Sequence, residues 1–463
     1  MDNKTEIAII GSGPGGYVAA IRAAQLGKKV ALIEEDKLGG ICLNYGCIPS
    51  KAMIYASDFF SKIKRSENMG ITVDNPRMDF TKMQQWKDSV ISKLNKGIDT
   101  LCEGNKITII SGRATFESSN RLKINKNSNI SYLDFEKCII ATGSKPIELP
   151  NIKFDYKNVI SSTEALYLGQ IPKNLSVIGG GYIGLELGTV YAKLGSKVSV
   201  VEMTDQLLPG FEKNVASIIQ KNLEKLSVKI YLNSKAETFQ NNKLSINSNE
   251  KGKISIDADK VLVAVGRIPN TKNLQIEKTK AKLNERGFVK VDNNLMTDDK
   301  KIYAIGDVST GPMLAHKASY QGKLVAEIIA GEKENYVNSV VPSVIFTDPE
   351  IATVGMSEKE AKDKGIRFKI GKIPFSISSR AMTKDVTEGY TKIISDNNDN
   401  IIGVEIVGAD ASDIISEAAL AIKMKAKAED LASTIHPHPT LSESLMEAAE
   451  AVIGKAIHIL NPK

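Results

Sequence analysis

An α/β fold with two Rossmann-like dinucleotide-binding domains, followed by a C-terminal α+β domain, is predicted by three patterns in the sequence. The first is a long repeat. GSGPGGYVAAIRAAQLGKKVALIEE, from Gly11, aligns 168 residues later with GGGYIGLELGTVYAKLGSKVSVVEM, from Gly179. Gly11, Gly13, Gly16, Gly27 and Glu34 fall on Gly179, Gly181, Gly184, Gly195 and Glu202. Each copy reads as apolar strand, glycine turn, helix and second strand ending in an acid. The second pattern is a shorter repeat. KCIIATGSKP from Lys137 aligns with KVLVAVGRIP from Lys260, placing Gly143 on Gly266 and Pro146 on Pro269. Both copies read as buried strands running into a glycine turn. The third pattern is a stretch with neither fingerprint, from VPSVIF at Val341 onward. There KIIS and IIGVEIVG read as strands, SDNNDNI as a hairpin turn, and SDIISEAALAIKMKAKAEDLA as helix.

These patterns set the expected domains. Residues 1–147 form the first nucleotide unit and 148–271 an inserted second one. IYAIGD, ending at Asp307, has no counterpart in the second unit, so 272–340 returns to the first; 341–463 is the third domain. With 463 residues, 42% apolar and 25% charged, the chain has ample material for a large core. The net charge of +7 comes from scattered lysines, which predicts a solvated surface and no nucleic-acid partner. No apolar run approaches the roughly 20 residues of a membrane helix, so no membrane association is expected. MDNKTEIAIIGSG has no basic lead, apolar stretch or cleavage pattern, which gives a cytoplasmic expectation. Four cysteines in such a chain are poor material for a disulfide framework.

The glycines have a chemical reason. In Gly-x-Gly-x-x-Gly the first makes a tight turn, the second admits a pyrophosphate to the backbone, and the third lets helix pack on strand. The phosphates then meet the positive end of the helix. Glu34 lies 18 residues past Gly16, where an acid accepts from ribose hydroxyls. Glu202 is the equivalent acid in the second copy. A carboxylate there pairs with a free 2′-hydroxyl and repels a 2′-phosphate, and VEMTDQLLPG offers no arginine. The second site is therefore expected to take NAD rather than NADP. A lone fingerprint is weak; two in register are not.

Cys42 and Cys47 lie in GGICLNYGCIPSKAM with four residues between them, and a helix is expected to begin near Pro49. Such a pair suits thiol–disulfide exchange, with a helix N-terminus lowering a thiol pKa. Zinc binding and two buried structural cysteines are the other readings. Cys102 and Cys138 are isolated, with no histidine nearby to complete a zinc set, and read as structural; no metal is expected. In HPTLSE, Pro439 suits the first position of a helix, which would put His438 at the cap and Glu443 one turn in. A carboxylate behind an imidazole fixes its tautomer and raises its basicity. His436 is the rival histidine, with a different carboxylate spacing; His316, in LAHKA, is a candidate for packing near a cofactor; His458 has no assignment.

GGICLNYGCIPSK resembles the redox-active segment of the flavoprotein disulfide reductases, the pyridine-nucleotide disulfide oxidoreductases, and CLN-x-GCIPSK is closest to the dihydrolipoamide dehydrogenase branch. The resemblance spans the chain: GSGPGG, ATGSKP, GGGYIGLE, VAVGRIPNT, AIGDV, AHKA, PSVIFTDPEIATVG and HPTLSE follow in family order. Ile41 stands where threonine is usual and Tyr45 where valine is usual; neither is a reacting group. The resemblance implies FAD in the first unit, with Asp307 at the ribityl-side hydroxyls, and NAD in the second. It implies Cys47 against the flavin ring and Cys42 as the interchange thiol facing substrate. It implies Lys51 and Glu186 paired near the flavin's reactive nitrogen, a cation that steadies reduced flavin; on residue type alone Lys51 would be an ordinary first-turn lysine. His438 and Glu443 would deprotonate a dithiol. The implied assembly is a homodimer through the third domain, delivering His438 to the other chain's disulfide. The implied partners are lipoyl-bearing proteins and the acyltransferase core of a 2-oxoacid dehydrogenase complex or a glycine-cleavage system. Glu202 argues against a glutathione-type NADP enzyme. The cysteine-free end IHILNPK argues against a mercuric reductase, and the cysteine pair against a transhydrogenase. Cys42, Cys47, His438 and Glu443 together argue against a non-catalytic flavoprotein.

Overall fold

The computed structural model describes residues 4–332 and 340–461; residues 333–339, within the span assigned to the first domain, lie outside it. The chain divides into two compact units, Met1–Lys173 with Asp259–Val337, and Asn174–Ala258 with Asn338–Lys463.

The first unit is built on a parallel sheet. Strand Lys4–Ile10 lies between Val30–Glu34 and Asn129–Ile140; Thr108–Ser111 flanks one side and Ile302–Ala304 pairs with the far edge of Asn129–Ile140. Ile302–Ala304 of IYAIGD is thus a strand of this sheet. Near-continuous apolar runs such as IAII and VALI are what strands covered on both faces require. Side chains alternate between two cores. Ile7 and Ile9 join Ala19, Ala20 and Ala23 of helix Pro14–Gln25 and Leu324 and Val325 of helix Ala315–Ala330. Ala8 and Ile10 join Phe116, Leu122 and Phe135 on the other side. The two helices approach closely: a Cβ on Gly322 would fall 2.4 Å from the Gly15 carbonyl oxygen. The tails of the shorter repeat pair with each other, Ser144–Pro146 antiparallel to Arg267–Pro269. Cys102 and Cys138 are both fully buried.

The second unit repeats the opening motif. Asn174–Ile178, Lys197–Val201 and Lys229–Tyr231 run parallel, with helix Tyr182–Lys193 following the first strand. A three-stranded antiparallel meander covers Ser234–Asp257. Beyond residue 340 comes a five-stranded antiparallel sheet in the order Ser343–Ile345, Glu350–Gly355, Ile401–Gly408, Tyr390–Asp396, Phe368–Pro374. The SDNNDN turn joins two of these strands as expected. The helical stretch is not continuous: Ala411–Met424 ends at Lys425 (φ 56°), and Ala428–Ala432 starts anew. Helix Glu443–Val452 packs so tightly on the sheet that a Cβ at Gly371 would lie 1.9 Å from the Ala448 carbonyl oxygen. Among the described residues, no helix is long and apolar enough to cross a membrane.

Candidate active site

The first glycine turn has the shape its sequence demands. Gly11 has φ 96°, where a Cβ would lie 2.5 Å from the Ala141 carbonyl oxygen, and a Cβ at Gly16 would lie 1.8 Å from that of Gly11. At Gly13, which caps helix Pro14–Gln25, a Cβ would meet nothing within 4 Å. The space beside Gly13 is therefore open at the positive end of the helix, where a pyrophosphate would sit. Glu34 accepts from the Ser12 amide at 2.8 Å, the Ser12 hydroxyl at 2.6 Å and the Asp36 amide at 3.0 Å. A carboxylate has about four acceptor positions, so one remains for a ribose hydroxyl.

The second turn repeats this. Gly179 has φ 106°, Gly181 caps helix Tyr182–Lys193 with open space at its Cβ, and Gly184 is buried. Glu202 is buried and accepts from the Gly180 amide at 2.6 Å, the Thr204 amide at 2.8 Å and the Thr204 hydroxyl at 2.9 Å. Again one acceptor position is left. The residues of both turns fit a dinucleotide.

Asp307 sits in the turn Gly306–Val308. Its Oδ2 accepts the Ser144 hydroxyl at 2.5 Å; Ser144 in turn receives Arg267 Nε at 2.7 Å on its hydroxyl and Arg267 Nη2 at 2.6 Å on its carbonyl. Ser144 and Arg267 directly follow Gly143 and Gly266, the paired glycines of the shorter repeat, each with positive φ. The repeat therefore pointed to this relay, although its residues were not singled out. The Lys317 ammonium is buried near Asp307; burial pushes its pKa down and Asp307 partly restores it.

Cys42 lies on the short helix Gly40–Tyr45, and Cys47 is the first residue of helix Cys47–Lys64. The helix begins at the cysteine itself, two residues earlier than the expected Pro49, because Gly46 (φ −144°, ψ −108°) breaks the preceding turn and its carbonyl accepts the Ser50 amide. That gives Cys47 the positive end of an 18-residue helix. A Cβ at Gly40 would lie 2.6 Å from Gly13 Cα, so the cysteine loop packs directly on the first glycine turn. Both cysteines are half-buried thiols. Cys42 holds its proton far above the usual thiol range, first through its hydrogen bond to Cys47, then through burial and the charge of Cys47, with Lys51 pulling the other way. The Cys42 thiol therefore holds its proton tightly beside Cys47. Lys51 follows in the same helix, and Glu186, buried on helix Tyr182–Lys193, accepts the Phe346 amide at 2.9 Å. Among the described residues, no group of three or more His, Cys, Asp or Glu side chains gathers as a metal cage.

His438 and Glu443 do meet, Nδ1 to Oε1 at 2.8 Å, but not as a cap and first turn. The His438–Pro439 peptide is cis, and the helix begins at Glu443, not Pro439. The approach depends instead on Thr440, whose amide donates to Glu443 Oε2 at 2.7 Å and fixes the carboxylate. A carboxylate facing Nδ1 favours the Nδ1–H tautomer, which leaves the lone pair on Nε2; the His438 side chain is 71% exposed and Glu443 16%. His436 differs. Its Nδ1 faces the Thr434 carbonyl at 2.9 Å and its Nε2 faces Glu417 at 3.0 Å, so neither ring nitrogen is free. His436 and Glu417 fasten the segment leading to His438 onto helix Ala411–Met424, a role invisible in local spacing. His458 also finds a carboxylate, Glu447, at 3.0 Å. His316 opens helix Ala315–Ala330.

Residues 5–322 match the pyridine nucleotide-disulphide oxidoreductase family, and residues 341–449 match that family's dimerisation domain. The chain belongs to the pyridine nucleotide-disulphide oxidoreductases. Within it, the chain is 48% identical to the dihydrolipoyl dehydrogenases of Geobacillus stearothermophilus and Bacillus subtilis, over 99% of this chain and 98% of each relative. It is 45% identical to that of Haloferax volcanii, again over 99% and 98%. Among solved structures it is similar to LpdA from Mycobacterium tuberculosis, with TM-score 0.90 and 25% identity over 96% of this chain and 99% of that one. It also resembles the HOCl-induced flavoprotein disulfide reductase RclA from Escherichia coli, with TM-score 0.85 and 29% identity over 95% and 98%.

Proposed function

We propose that the chain oxidises dihydrolipoamide to lipoamide and passes the electrons through the Cys42–Cys47 pair and FAD to NAD. The near-complete match to relatives named dihydrolipoyl dehydrogenase carries this reading. FAD, when bound, accepts the electron pair of the reduced cysteines and yields it to NAD as hydride. The remaining steps belong to side chains. His438 Nε2 takes a proton from one substrate thiol, and Glu443 steadies the imidazolium. The substrate thiolate attacks Cys42 Sγ; the Cys42–Cys47 bond breaks and Cys47 leaves as thiolate. The second substrate thiol then attacks the mixed disulfide, releasing lipoamide and giving its proton to Cys42. The end state has one proton on Cys42 and one on His438, with the charge on Cys47. The high proton affinity of Cys42 supports this distribution.

The finer assignments rest on the resemblance. Gly11, Gly13, Gly16, Glu34, Gly143 and Asp307 serve FAD, with Lys51 and Glu186 at its reactive end. Gly179, Gly181, Gly184, Glu202 and Gly266 serve NAD. Domain limits of 1–147 with 272–340, 148–271 and 341–463 follow the repeats. The working form is a homodimer in which the partner subunit's His438 serves each cysteine pair. The substrate arrives on lipoyl-bearing proteins of a 2-oxoacid dehydrogenase complex or a glycine-cleavage system, in the cytoplasm. A steady-state assay with dihydrolipoamide and NAD, run beside glutathione disulfide and NADPH, tests the reading. Turnover of the first pair alone is expected; turnover of the second pair alone overturns it.

A further inference from the structure

Beneath the redox loop lies a group of side chains that no motif contains. Lys87, on helix Phe80–Gly104, is fully buried. Its ammonium donates to Gln84 Oε1 at 2.5 Å and to the Leu166 carbonyl at 2.6 Å, and lies 3.3 Å from the Asp88 carboxylate. It also stands 3.7 Å from the centroid of the Tyr167 ring. Tyr167 gives its hydroxyl hydrogen to the carbonyl of Asn44 at 2.5 Å and meets the Tyr45 ring edge-on, with centroids 6.2 Å apart at 62°. Tyr45 in turn donates to Asp36 at 2.6 Å. Asn44 and Tyr45 are two of the four residues between Cys42 and Cys47.

Asn44 is almost completely buried, and its side chain makes three hydrogen bonds: Nδ2 donates to the Leu38 and Gly40 carbonyls at 2.8 and 2.9 Å, and Oδ1 accepts from Asn95 at 2.8 Å. Gly46, next in the chain, is non-helical and separates the two short runs that carry the cysteines. A glycine at such a junction leaves the backbone free unless something pins it. Tyr167 supplies the pin. Burial, then Asp88, push its phenol up to about 12, so it remains a donor at any ordinary pH. A buried ammonium is costly without partners, and here two acceptors, a carboxylate and an aromatic face surround it. That arrangement fixes the ring from behind.

We propose that Tyr167, set in place by Lys87 and packed on Tyr45, is a positioning residue that holds the 42–47 loop in one conformation while the Cys42–Cys47 disulfide opens and closes. The inference rests on the reading of these cysteines as a redox couple. Closing the disulfide joins the two Sγ atoms and passes two electrons and two protons to an oxidant. How readily it closes depends on how near one thiol is kept to the other, which is an effective concentration. A loosened loop lowers that concentration.

The test uses FAD-loaded enzyme equilibrated in mixtures of reduced and oxidised dithiothreitol, with thiols counted by alkylation and mass. The disulfide takes its oxidising equivalents from the oxidised dithiothreitol. Tyr167→Phe keeps the ring and removes the donor. It should lower the equilibrium constant for closure roughly five- to tenfold, where tenfold corresponds to about 30 mV. Tyr45→Val should shift it the same way by a smaller factor. A Tyr167→Phe constant within about twofold of the unmodified enzyme overturns the proposal, even if the variant melts at a lower temperature, since that would mark an ordinary packing contact. Absence of any Cys42–Cys47 disulfide in the unmodified enzyme would instead overturn the redox reading, and this inference with it. Lys87→Met is the harsher variant; where it fails to fold, Tyr167→Phe decides alone.

Discussion

Gly180 gives its amide hydrogen to Glu202 at 2.6 Å, and 168 residues earlier Ser12 gives its own to Glu34 at 2.8 Å. The acid that ends each second strand is thus tied back to its own glycine turn, with one acceptor position left outward. At the second turn this bears on cofactor choice. Glu202 is buried and already holds three donors, so a 2′-phosphate would face a fixed carboxylate with no cation supplied by the adjoining segment. The unmodified enzyme should favour NAD over NADP by roughly a hundredfold or more in kcat/KM. Glu202→Ala should lose about tenfold or more with NAD, the range of a charged hydrogen bond, and little with NADP. Equal use of both nucleotides by the unmodified enzyme would refute the assignment.

The cysteines give a count. Of four cysteines, Cys102 and Cys138 are fully buried, and burial pushes both thiols up, strongly for Cys138, so they are unreactive in the folded state. Oxidised enzyme, unfolded without reductant, should show two free thiols, and reduced enzyme four. Cys42→Ser and Cys47→Ser should each lower dihydrolipoamide turnover by about a thousandfold or more, since either removes the exchange itself. Four thiols under oxidising conditions would sink the mechanism.

Features that recur at a fixed offset, or that lie within a few residues of each other, were legible in the sequence. The two glycine turns, the returning strand before Asp307 and the meeting of His438 with Glu443 are of this kind. Helix starts were less so. Pro439 looked like a first helical residue, but the helix starts at Glu443, whose carboxylate also receives the Thr440 amide. Cys47 replaced Pro49 as a helix start because a glycine's backbone angles, and not a side-chain cap, end the preceding turn. Least legible were contacts between distant segments. Tyr167 reaches Asn44 across 123 positions and Arg267 reaches Ser144 across the same number. Glu417 meets His436 from a helix the sequence drew as one long stretch. Periodicity reports which face of an element is buried, not which polar group it will meet.

Lys392 offers a test of stability. It is buried at the centre of Glu212, Glu358 and Glu405, at 2.9, 2.9 and 3.0 Å, while Tyr390 donates to Glu405 at 2.7 Å. Burial pulls the lysine pKa down, but Glu405, Glu212 and Glu358 together overcome it and hold the value above 10.5. Because the folded value exceeds the unfolded one, the stabilisation is complete below about pH 10.5 and is lost only as pH rises through the folded value. Lys392→Met should cost about 3 kcal/mol by removing the cation that contacts all three carboxylates, the nearby Lys372 and the partial exposure of the glutamates keeping it at the low end. The gap in urea midpoint between the two proteins should be the same at pH 7 and pH 9. A gap that closes by pH 9 would contradict this account.

The last test concerns where His438 works. Its Nδ1 is committed to Glu443, its ring is 71% exposed, and the match to a dimerisation domain covers it. An exposed base on a dimerisation domain is well placed to serve a neighbouring chain. His438→Ala should cut dihydrolipoamide turnover by about a hundred- to ten-thousandfold, the usual range for a general base. Glu443→Gln should cost less, because it leaves the base present but badly oriented. Neither should alter FAD binding, which is assigned above to the first glycine turn, Glu34, Gly143 and Asp307. Complementation then locates the base. Cys42→Ser and His438→Ala homodimers should each keep about a hundredth of the native activity or less; co-folded, the two chains should form some heterodimers. If the site is shared, one of the two composite sites in a heterodimer pairs the intact cysteines of one chain with the intact His438 of the other. Two-fold symmetry then demands about half the native activity per heterodimer. If His438 serves its own chain, every site in the heterodimer lacks either the thiol or the base. Verified heterodimers would then stay inactive, and the shared-site reading would fall.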